Sequence, residues 1–260
     1  MTEADEEALL AVALEAARAA GAELRSRFGH QQHGVRAKSG PTDLVSDADL
    51  AAEAAIRDVL RSRRPGDAIL AEEGGATAGG ELRWIVDPLD GTINFLFGIP
   101  AWGVSVACED AEGGIVGVVL DPMRDECFSA TRSGLPTLGG EPIRARADGE
   151  FANALVATGF SYDASVRIRQ AEVVTRLLPH VRDIRRMGAA AIDLCWTACG
   201  RFDAYYERGL KPWDVAAGSL IALRSGLEVR ALPEVAGQPG GVAVTRAGLM
   251  PELMELIAEG

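Results

Sequence analysis

The run Trp84-Ile85-Val86-Asp87-Pro88-Leu89-Asp90-Gly91-Thr92-Ile93-Asn94-Phe95 sets two aspartates near the end of an apolar segment, with a glycine and a hydroxyl directly behind them. Ile85 and Val86 read as a buried strand, and Pro88 biases Asp87 away from the helical region and predicts a turn there. Such a strand delivers two carboxylates to its own exit, where Gly91 and Thr92 offer backbone N–H groups to an anion. Carboxylates repel phosphate, so a cation must lie between them. The segment predicts a metal-bridged phosphate site.

Three further acidic motifs are dispersed along the chain. Asp43-Leu44-Val45-Ser46-Asp47-Ala48-Asp49 precedes a predicted helix, Glu72-Glu73-Gly74-Gly75 follows a short strand, and Trp213-Asp214 opens a late helix. Each stands at the end of an element, where sites are built on α/β scaffolds. Each also has a plain structural reading: Ser46 and Asp49 have capping-box spacing, Asp214 could be a helix N-cap, and Glu72-Glu73 a solvated turn. The Asp87–Asp90 block is harder to explain that way, because a turn needs only one of its aspartates.

Taken in this order, the motifs resemble the inositol monophosphatase family of metal-dependent phosphatases. The resemblance covers about residues 35 to 220. It includes Lys38 upstream of Asp43, Ala71-Glu72-Glu73-Gly74, the DPLDGTINF block from Asp87, the segment from Met187 through Ala191 to Ala204-Tyr205-Tyr206-Glu207, and WDVAAG from Trp213. It implies an α/β (α+β layered) fold, an αβαβα sandwich, together with a homodimer and sensitivity to lithium. In that family the residues matching Glu72 and Asp87, with the Leu89 carbonyl, hold one Mg²⁺, and those matching Asp87, Asp90 and Asp214 hold another, with two or three Mg²⁺ per site. The charges agree: four converging carboxylates and a phosphomonoester of about −2 repel one another unless hard dications intervene. All-oxygen ligation without Cys or His selects Mg²⁺ or Mn²⁺ over Zn²⁺.

The resemblance further implies a metal-dependent phosphomonoesterase that uses water directly, with no phospho-enzyme. Thr92 and Asp49 would position and deprotonate the water beside Glu72, Gly91 and Thr92 would bind phosphate, and Lys38 and Asp43 would be accessory. Glu207 matches a residue contacting inositol hydroxyls, and Gly188 and Ala190 match backbone positions lining that pocket; a surface charge after a strand is the plainer reading of Glu207. A carboxylate facing a polyol can accept two hydroxyl hydrogen bonds. Ile93 stands where relatives acting on 3′-phosphoadenosine 5′-phosphate or histidinol phosphate often carry lysine, which favours myo-inositol monophosphate as substrate. Fructose 1,6-bisphosphate or another sugar phosphate is the alternative. A non-catalytic regulator binding metal or a partner is the alternative from another class.

Two other phosphatase patterns are present in outline. Cys195-Trp-Thr-Ala-Cys-Gly-Arg201 fits the C-x5-R spacing of cysteine phosphatases, but it falls in an apolar helical stretch whose N–H groups would be bonded internally. The Asp-Gly-Thr tail is similar to the haloacid-dehalogenase signature, yet Asp87 and Asp90 are one residue too far apart for it. Cys108, Cys127, Cys195 and Cys199 show neither CxxC spacing nor a nearby histidine, so buried free thiols are expected. A net charge of −12 argues against a nucleic-acid surface. No apolar run approaches the ~20 residues that cross a bilayer, and the acidic start Glu3-Ala4-Asp5-Glu6-Glu7 lacks the positive charge of a signal peptide, so a cytoplasmic protein is expected.

The elements that must carry these groups follow from periodicity. A helix is predicted from Thr2 to Phe28, where Thr2 and Asp5 have capping-box spacing and Leu9, Ala13, Ala17, Ala20 and Leu24 keep a stripe. A polar link over His30 to Pro41, a helix over Ser46 to Arg64 and a strand over Ala68 to Ala71 come next. Val104–Cys108 and Ile115–Leu120 form a hairpin, Cys127–Thr131 a strand and Gly139–Pro142 a turn. Thereafter strands and helices alternate: strands at Ala154–Thr158, Ile184–Arg186, Ala204–Glu207 and Val242–Thr245, helices at Val166–Leu178, Ala189–Cys199, Asp214–Arg224 and Pro251–Ala258. The change of pattern suggests two sub-domains, residues 1–145 carrying most metal ligands and 146–260 carrying Asp214 and the substrate pocket.

Overall fold

The computed structural model describes residues 1–40, 42–235 and 237–258. The first helix, α1 (Glu3–Arg27), starts where Thr2 and Asp5 exchange hydrogen bonds, the Asp5 N–H reaching Thr2 Oγ1 at 3.3 Å and the Thr2 N–H reaching Asp5 Oδ2 at 2.9 Å. The predicted link over His30 to Pro41 is corrected by the structure: Arg36–Gly40 forms strand β1, paired antiparallel with β2 (Asp43–Val45), while Pro41 lies outside the described residues. Arg36-Ala37-Lys38 carries no alternating apolar signal, so cross-strand pairing makes this ribbon and its sequence does not announce it. α2 (Asp47–Arg63) follows and packs along α1.

An eight-stranded sheet comes next, built from β3 (Ala68–Ala71), β4 (Gly75–Thr77), β5 (Arg83–Asp90), β6 (Gly103–Asp110), β7 (Gly113–Asp121), β8 (Glu126–Thr131), β9 (Thr137–Leu138) and β10 (Glu141–Pro142). Its order is β10-β9-β8-β7-β6-β5-β3-β4, with β3 and β5 parallel. Gly139 and Gly140, at φ +60 and +90, make the turn between β9 and β10. The chain does not turn at Pro88 as predicted. β5 continues to Asp90, and its ladder to β6 slips register between Asp87 and Asp90. Pro88 removes one rung, so the strand bulges there and re-aims both aspartates. A short helix, α3 (Thr92–Leu96), springs from the end of β5.

The second sheet holds β11 (Leu155–Thr158), β12 (Asp183–Arg185), β13 (Ala204–Arg208), β14 (Glu228–Leu232) and β15 (Gly241–Thr245), in the order β12-β11-β13-β15-β14. Its helices are α4 (Ala164–Leu177), α5 (Ala190–Ala198), α6 (Pro212–Arg224) and α7 (Met250–Ile257). β14 was not predicted: it is an edge strand whose Glu228 and Arg230 pair with each other at 2.7 Å, a polar pattern typical of edges.

Period-two alternation sorts the side chains into three cores. Trp84, Val86, Val104 and Val118 face α1 and α2. Ile85, Ala107 and Val119 face the other way, onto α5, α6 and the inner residues Tyr205, Val242 and Val244 of the second sheet. Val156, Ala204, Tyr206 and Ala243 turn outward onto α4 and α7. The layers are therefore α, β, α, β, α. Bare glycines set the tightest contacts of the middle layer. A Cβ on Gly117 of β7 would lie 2.8 Å from the Ala217 carbonyl oxygen, and one on Gly218 would lie 2.7 Å from Leu194 Cβ. Among the described residues no helix is long and apolar enough to cross a membrane.

Candidate active site

The bulge in β5, the turn after β3, the β1–β2 hairpin and the N-terminal ends of α5 and α6 surround one cleft of about 610 Å³. Lys38, Asp43, Glu72, Asp87, Leu89, Asp90, Gly91, Thr92, Gly188, Ala190, Glu207 and Asp214 all line it. Of the predicted site residues only Asp49 lies behind the wall, 1% exposed, directly beneath Thr92.

The carboxylates occupy a poorly hydrated position near one another. Asp87 is 2% exposed and one of its oxygens accepts the Leu89 N–H at 3.0 Å. Burial, then the charges of Glu72, Asp90 and Asp214, push its pKa well above the ordinary carboxylate range. Burial raises Asp90 to about 7, with Glu207 and Glu72 adding repulsion, against the pull of two backbone donors. Those donors are the first N–H groups of α5: Ala190 N–H at 3.2 Å and Ala191 N–H at 2.7 Å, one to each oxygen. Burial likewise carries Asp214 to about 8, opposed by its hydrogen bond from the Lys211 N–H at 2.7 Å. Asp214 is not the N-cap that the simpler sequence reading allowed; Lys211 holds that position and Asp214 reaches back to it from the first turn.

Glu72 and Glu73 do not form a purely solvated turn either. Lys38 bridges them, meeting Glu72 Oε1 at 2.6 Å and Glu73 Oε1 closer still. Burial alone would depress the ammonium, but Glu72 and Glu73 more than offset it and hold its pKa above the usual lysine value. Asp87, Asp90 and Asp214 have no ion-pair partner among the described residues. Nor do three acidic, histidine or cysteine side chains there form a ready-made metal cage; each carboxylate is turned to a donor of the chain's own. The donor set nevertheless fits hard dications: it is all oxygen, it is withdrawn from water, and its members raise one another's pKa for want of counter-charge.

Thr92 stands between this cluster and Asp49. Its Oγ1 lies 3.0 Å from Asp49 Oδ1 and 3.0 Å from the Leu89 carbonyl oxygen. Asp49 is fixed from its other oxygen by the Ser46 N–H at 2.8 Å and the Ser46 hydroxyl at 2.7 Å. The capping box on α2 and the Thr92 contact are thus one arrangement, and the two sequence readings of Asp49 do not compete. Gly91, at φ +90, brings its backbone against the next loop; a Cβ there would meet the Ala101 carbonyl at 3.0 Å and that of Gly188 at 3.2 Å. Asn94 ties the same two segments together, donating to Ala101 O at 2.7 Å and Met187 O at 2.8 Å.

Glu207 lies near the end of β13 half-buried, not on the surface, and Tyr205 donates its phenol to Glu207 Oε2 at 2.8 Å. Burial raises Glu207 to about 7 although Tyr205 and Arg186 pull it down. Gly159 makes room for it, since a Cβ there would overlap the carboxylate at 2.0 Å. Ser46, Asn94, Ala191, Tyr162 and Arg186 were not among the predicted site residues. Ser46, Asn94 and Ala191 sit inside motifs that could have flagged them; Tyr162 and Arg186 do not. Cys195 is buried in α5 with its thiol pushed up by burial, and Arg201 is drawn off to Glu126, so the C-x5-R spacing forms no anion nest.

Comparison with known proteins agrees with this architecture. The model of the inositol monophosphatase family matches residues 5–258. The inositol-1-monophosphatase SuhB of Mycobacterium tuberculosis is 43% identical over 241 residues, covering 88% of this chain and 83% of that protein. A protein named Nus factor SuhB from Haemophilus influenzae is 38% identical over 221 residues, 84% of this chain and 83% of its own. The solved extragenic suppressor protein suhB of Bartonella henselae superposes with a TM-score of 0.90 at 32% identity, covering 97% of this chain and 99% of that one. The chain belongs to the inositol monophosphatase family.

Proposed function

We propose that this member of the inositol monophosphatase family is a Mg²⁺-dependent phosphomonoesterase that hydrolyses myo-inositol monophosphate to inositol and phosphate. The observation that carries the reading is the convergence of buried Asp87 and Asp90 with half-buried Asp214, none with a cationic partner among the described residues, beside a Thr92–Asp49 pair. Glu72, Asp87, the Leu89 carbonyl, Asp90 and Asp214 are the groups that would hold two or three Mg²⁺, with Lys38 and Asp43 at the rim. Bound there, Mg²⁺ supplies a lowered water pKa and charge neutralisation on the phosphoryl and leaving oxygens.

The chain's own residues do the rest. The Thr92 hydroxyl donates to Asp49, so its oxygen is free to accept the proton of an incoming water while Asp49 takes the hydroxyl proton in relay. Ser46 keeps the Asp49 carboxylate aimed. Gly91 and Thr92 present N–H groups to the phosphate oxygens, and Glu207 accepts hydroxyls of the polyol against backbone at Gly188 and Ala190. The reading includes a soluble cytoplasmic homodimer and a division into units over 1–145 and 146–260, with the cleft between them.

Phosphate release from inositol 1-phosphate tests this. Turnover with Mg²⁺ that EDTA abolishes is expected; no turnover on any polyol or sugar phosphate would overturn it. The second reading, a non-catalytic regulator that binds metal or a partner, draws on relatives named Nus factor SuhB and would be favoured by that negative result.

A further inference from the structure

Three buried ionisable side chains of α2, Asp49, Glu53 and Arg57, follow one another at i, i+4 spacing and so share one row of the helix. Asp49 meets Thr92, just past the end of β5. Glu53 and Arg57 reach the other half of the site. The Glu53 carboxylate accepts the Glu73 N–H on one oxygen and the Gly74 N–H on the other, each at 2.8 Å. The Arg57 guanidinium donates to Glu53 Oε1 at 2.7 Å and, through Nη2, to the Gly75 carbonyl oxygen at 2.9 Å. Successive residues of the turn between β3 and β4 are thus clipped to α2 by charge-assisted hydrogen bonds. That turn carries Glu72.

The core does not call for this clip. β4 (Gly75–Thr77) is exposed along its length and stands at the edge of its sheet, so water could satisfy the turn's N–H groups. Burying a carboxylate and a guanidinium instead costs both their hydration. What the pair supplies is position. Gly74 lies so close against it that an added Cβ would overlap Glu53 Oε1 and Arg57 Nη2. Neither Glu53 nor Arg57 lines the cleft; they act on it through the backbone next to Glu72.

We infer that Glu53 and Arg57 are positioning residues for Glu72, and that the Asp49–Glu53–Arg57 row makes α2 the template holding the β3 and β5 ends of the metal site in register. The inference rests on the metal-site reading above and deepens it. Glu72 hangs on the clip, whereas Asp90 and Asp214 are set by the N–H groups of α5 and by α6 itself. Losing the clip therefore weakens the metal that Glu72 helps to hold and spares the one that Asp90 and Asp214 hold.

Mn²⁺ titration calorimetry of the metal-free full chain tests this, with E72Q and D214N identifying which binding step belongs to which metal. A single change such as E53A would strand Arg57 in the interior and could unfold the chain. E53M/R57M removes both charges together, and methionine suits both helix and core. In that variant the Glu72 step is expected to weaken about tenfold or more, the scale on which residues behind metal ligands act, with the other step within about threefold. R57K, which keeps a cation opposite Glu53, retains most of the affinity. Should the paired variant fail to fold, G74A decides on the same readout, because its methyl wedges the turn away from an intact pair. Both steps weakened alike would mean general loosening and overturn the inference, as would neither step changing. Metal binding without turnover of any ester would sink the phosphatase reading and leave this one standing; a wild type that binds no Mn²⁺ would overturn both.

Discussion

Asp87 and Asp90 look alike in sequence and differ in what the fold asks of them. Asp87 has one local donor, the Leu89 N–H, and three acidic neighbours, so its charged form is held at a cost that a dication removes. Replacing it with Asn keeps an acceptor for Leu89 and deletes the repelled charge. Asp87→Asn is therefore expected to melt level with or above the wild type when both are metal-free, by ~2–4 °C per kcal/mol relieved, while Mg²⁺-dependent turnover falls at least about a thousandfold. A lower metal-free melting temperature would make Asp87 a structural residue. Asp90→Asn differs, because both Asp90 oxygens accept N–H groups of α5 and an amide offers one acceptor only. It should lose ~1–3 kcal/mol even without metal, read as a drop in the denaturant midpoint; a stability equal to that of Asp87→Asn would contradict the role given to those bonds.

At the scale of elements, precision comes from close backbone approaches. α6 carries Asp214 and rests on β7 where Gly117 has no side chain. Gly117→Ala must lift the helix, since the added methyl meets the backbone carbonyl of Ala217. A destabilisation of ~1–3 kcal/mol is expected, with a loss of Mg²⁺ affinity larger than that of an equally destabilising change in the outer core, measured by calorimetry. Unchanged metal affinity would show that α6 is free to move. These contacts explain what was legible beforehand. The apolar strands and amphipathic helices could be read because alternation and capping are local, and so could the Asp-Pro-Leu-Asp-Gly-Thr block. The hairpin β1–β2 could not, because its residues carry no apolar period and are ordered by cross-strand pairing; the edge strand β14 alternates Val229 and Ala231 with Glu228 and Arg230, a signal too short and too charged to stand out. The bulge at Pro88 was misjudged as a turn because a proline's effect depends on whether the ladder on either side persists, and β6 makes it persist. Arg186 was invisible for a different reason: its place on the same cleft as Glu207 exists only once the chain is folded.

For the whole molecule, these buried acids link stability to pH. Asp90 and Asp214 titrate near 7 and 8 in the folded chain, and Asp87 lies well above its ordinary value, whereas the unfolded chain releases such protons near pH ~4. Between those values the metal-free fold binds more protons than the unfolded chain, so its stability falls as pH rises. The metal-free melting temperature is expected to be higher at pH 5.5 than at pH 8, and Mg²⁺ to raise it more at pH 8. A metal-free protein more stable at pH 8 would contradict the clustering of these charges. Asp110 acts in the opposite sense, held down to about 2 chiefly by its hydrogen bonds from Arg132, but its contribution is lost only as pH falls below the ordinary aspartate range, outside this window.

The most direct measurement is anomalous diffraction from a crystal soaked in Mn²⁺. At least two peaks are predicted among Glu72, Asp87, the Leu89 carbonyl, Asp90 and Asp214, with Asp214 and Asp87 both turned to metal. A map with no peak there, and those carboxylates still satisfied by Lys38 and the backbone donors of Leu89, Ala190, Ala191 and Lys211, would contradict the assignment.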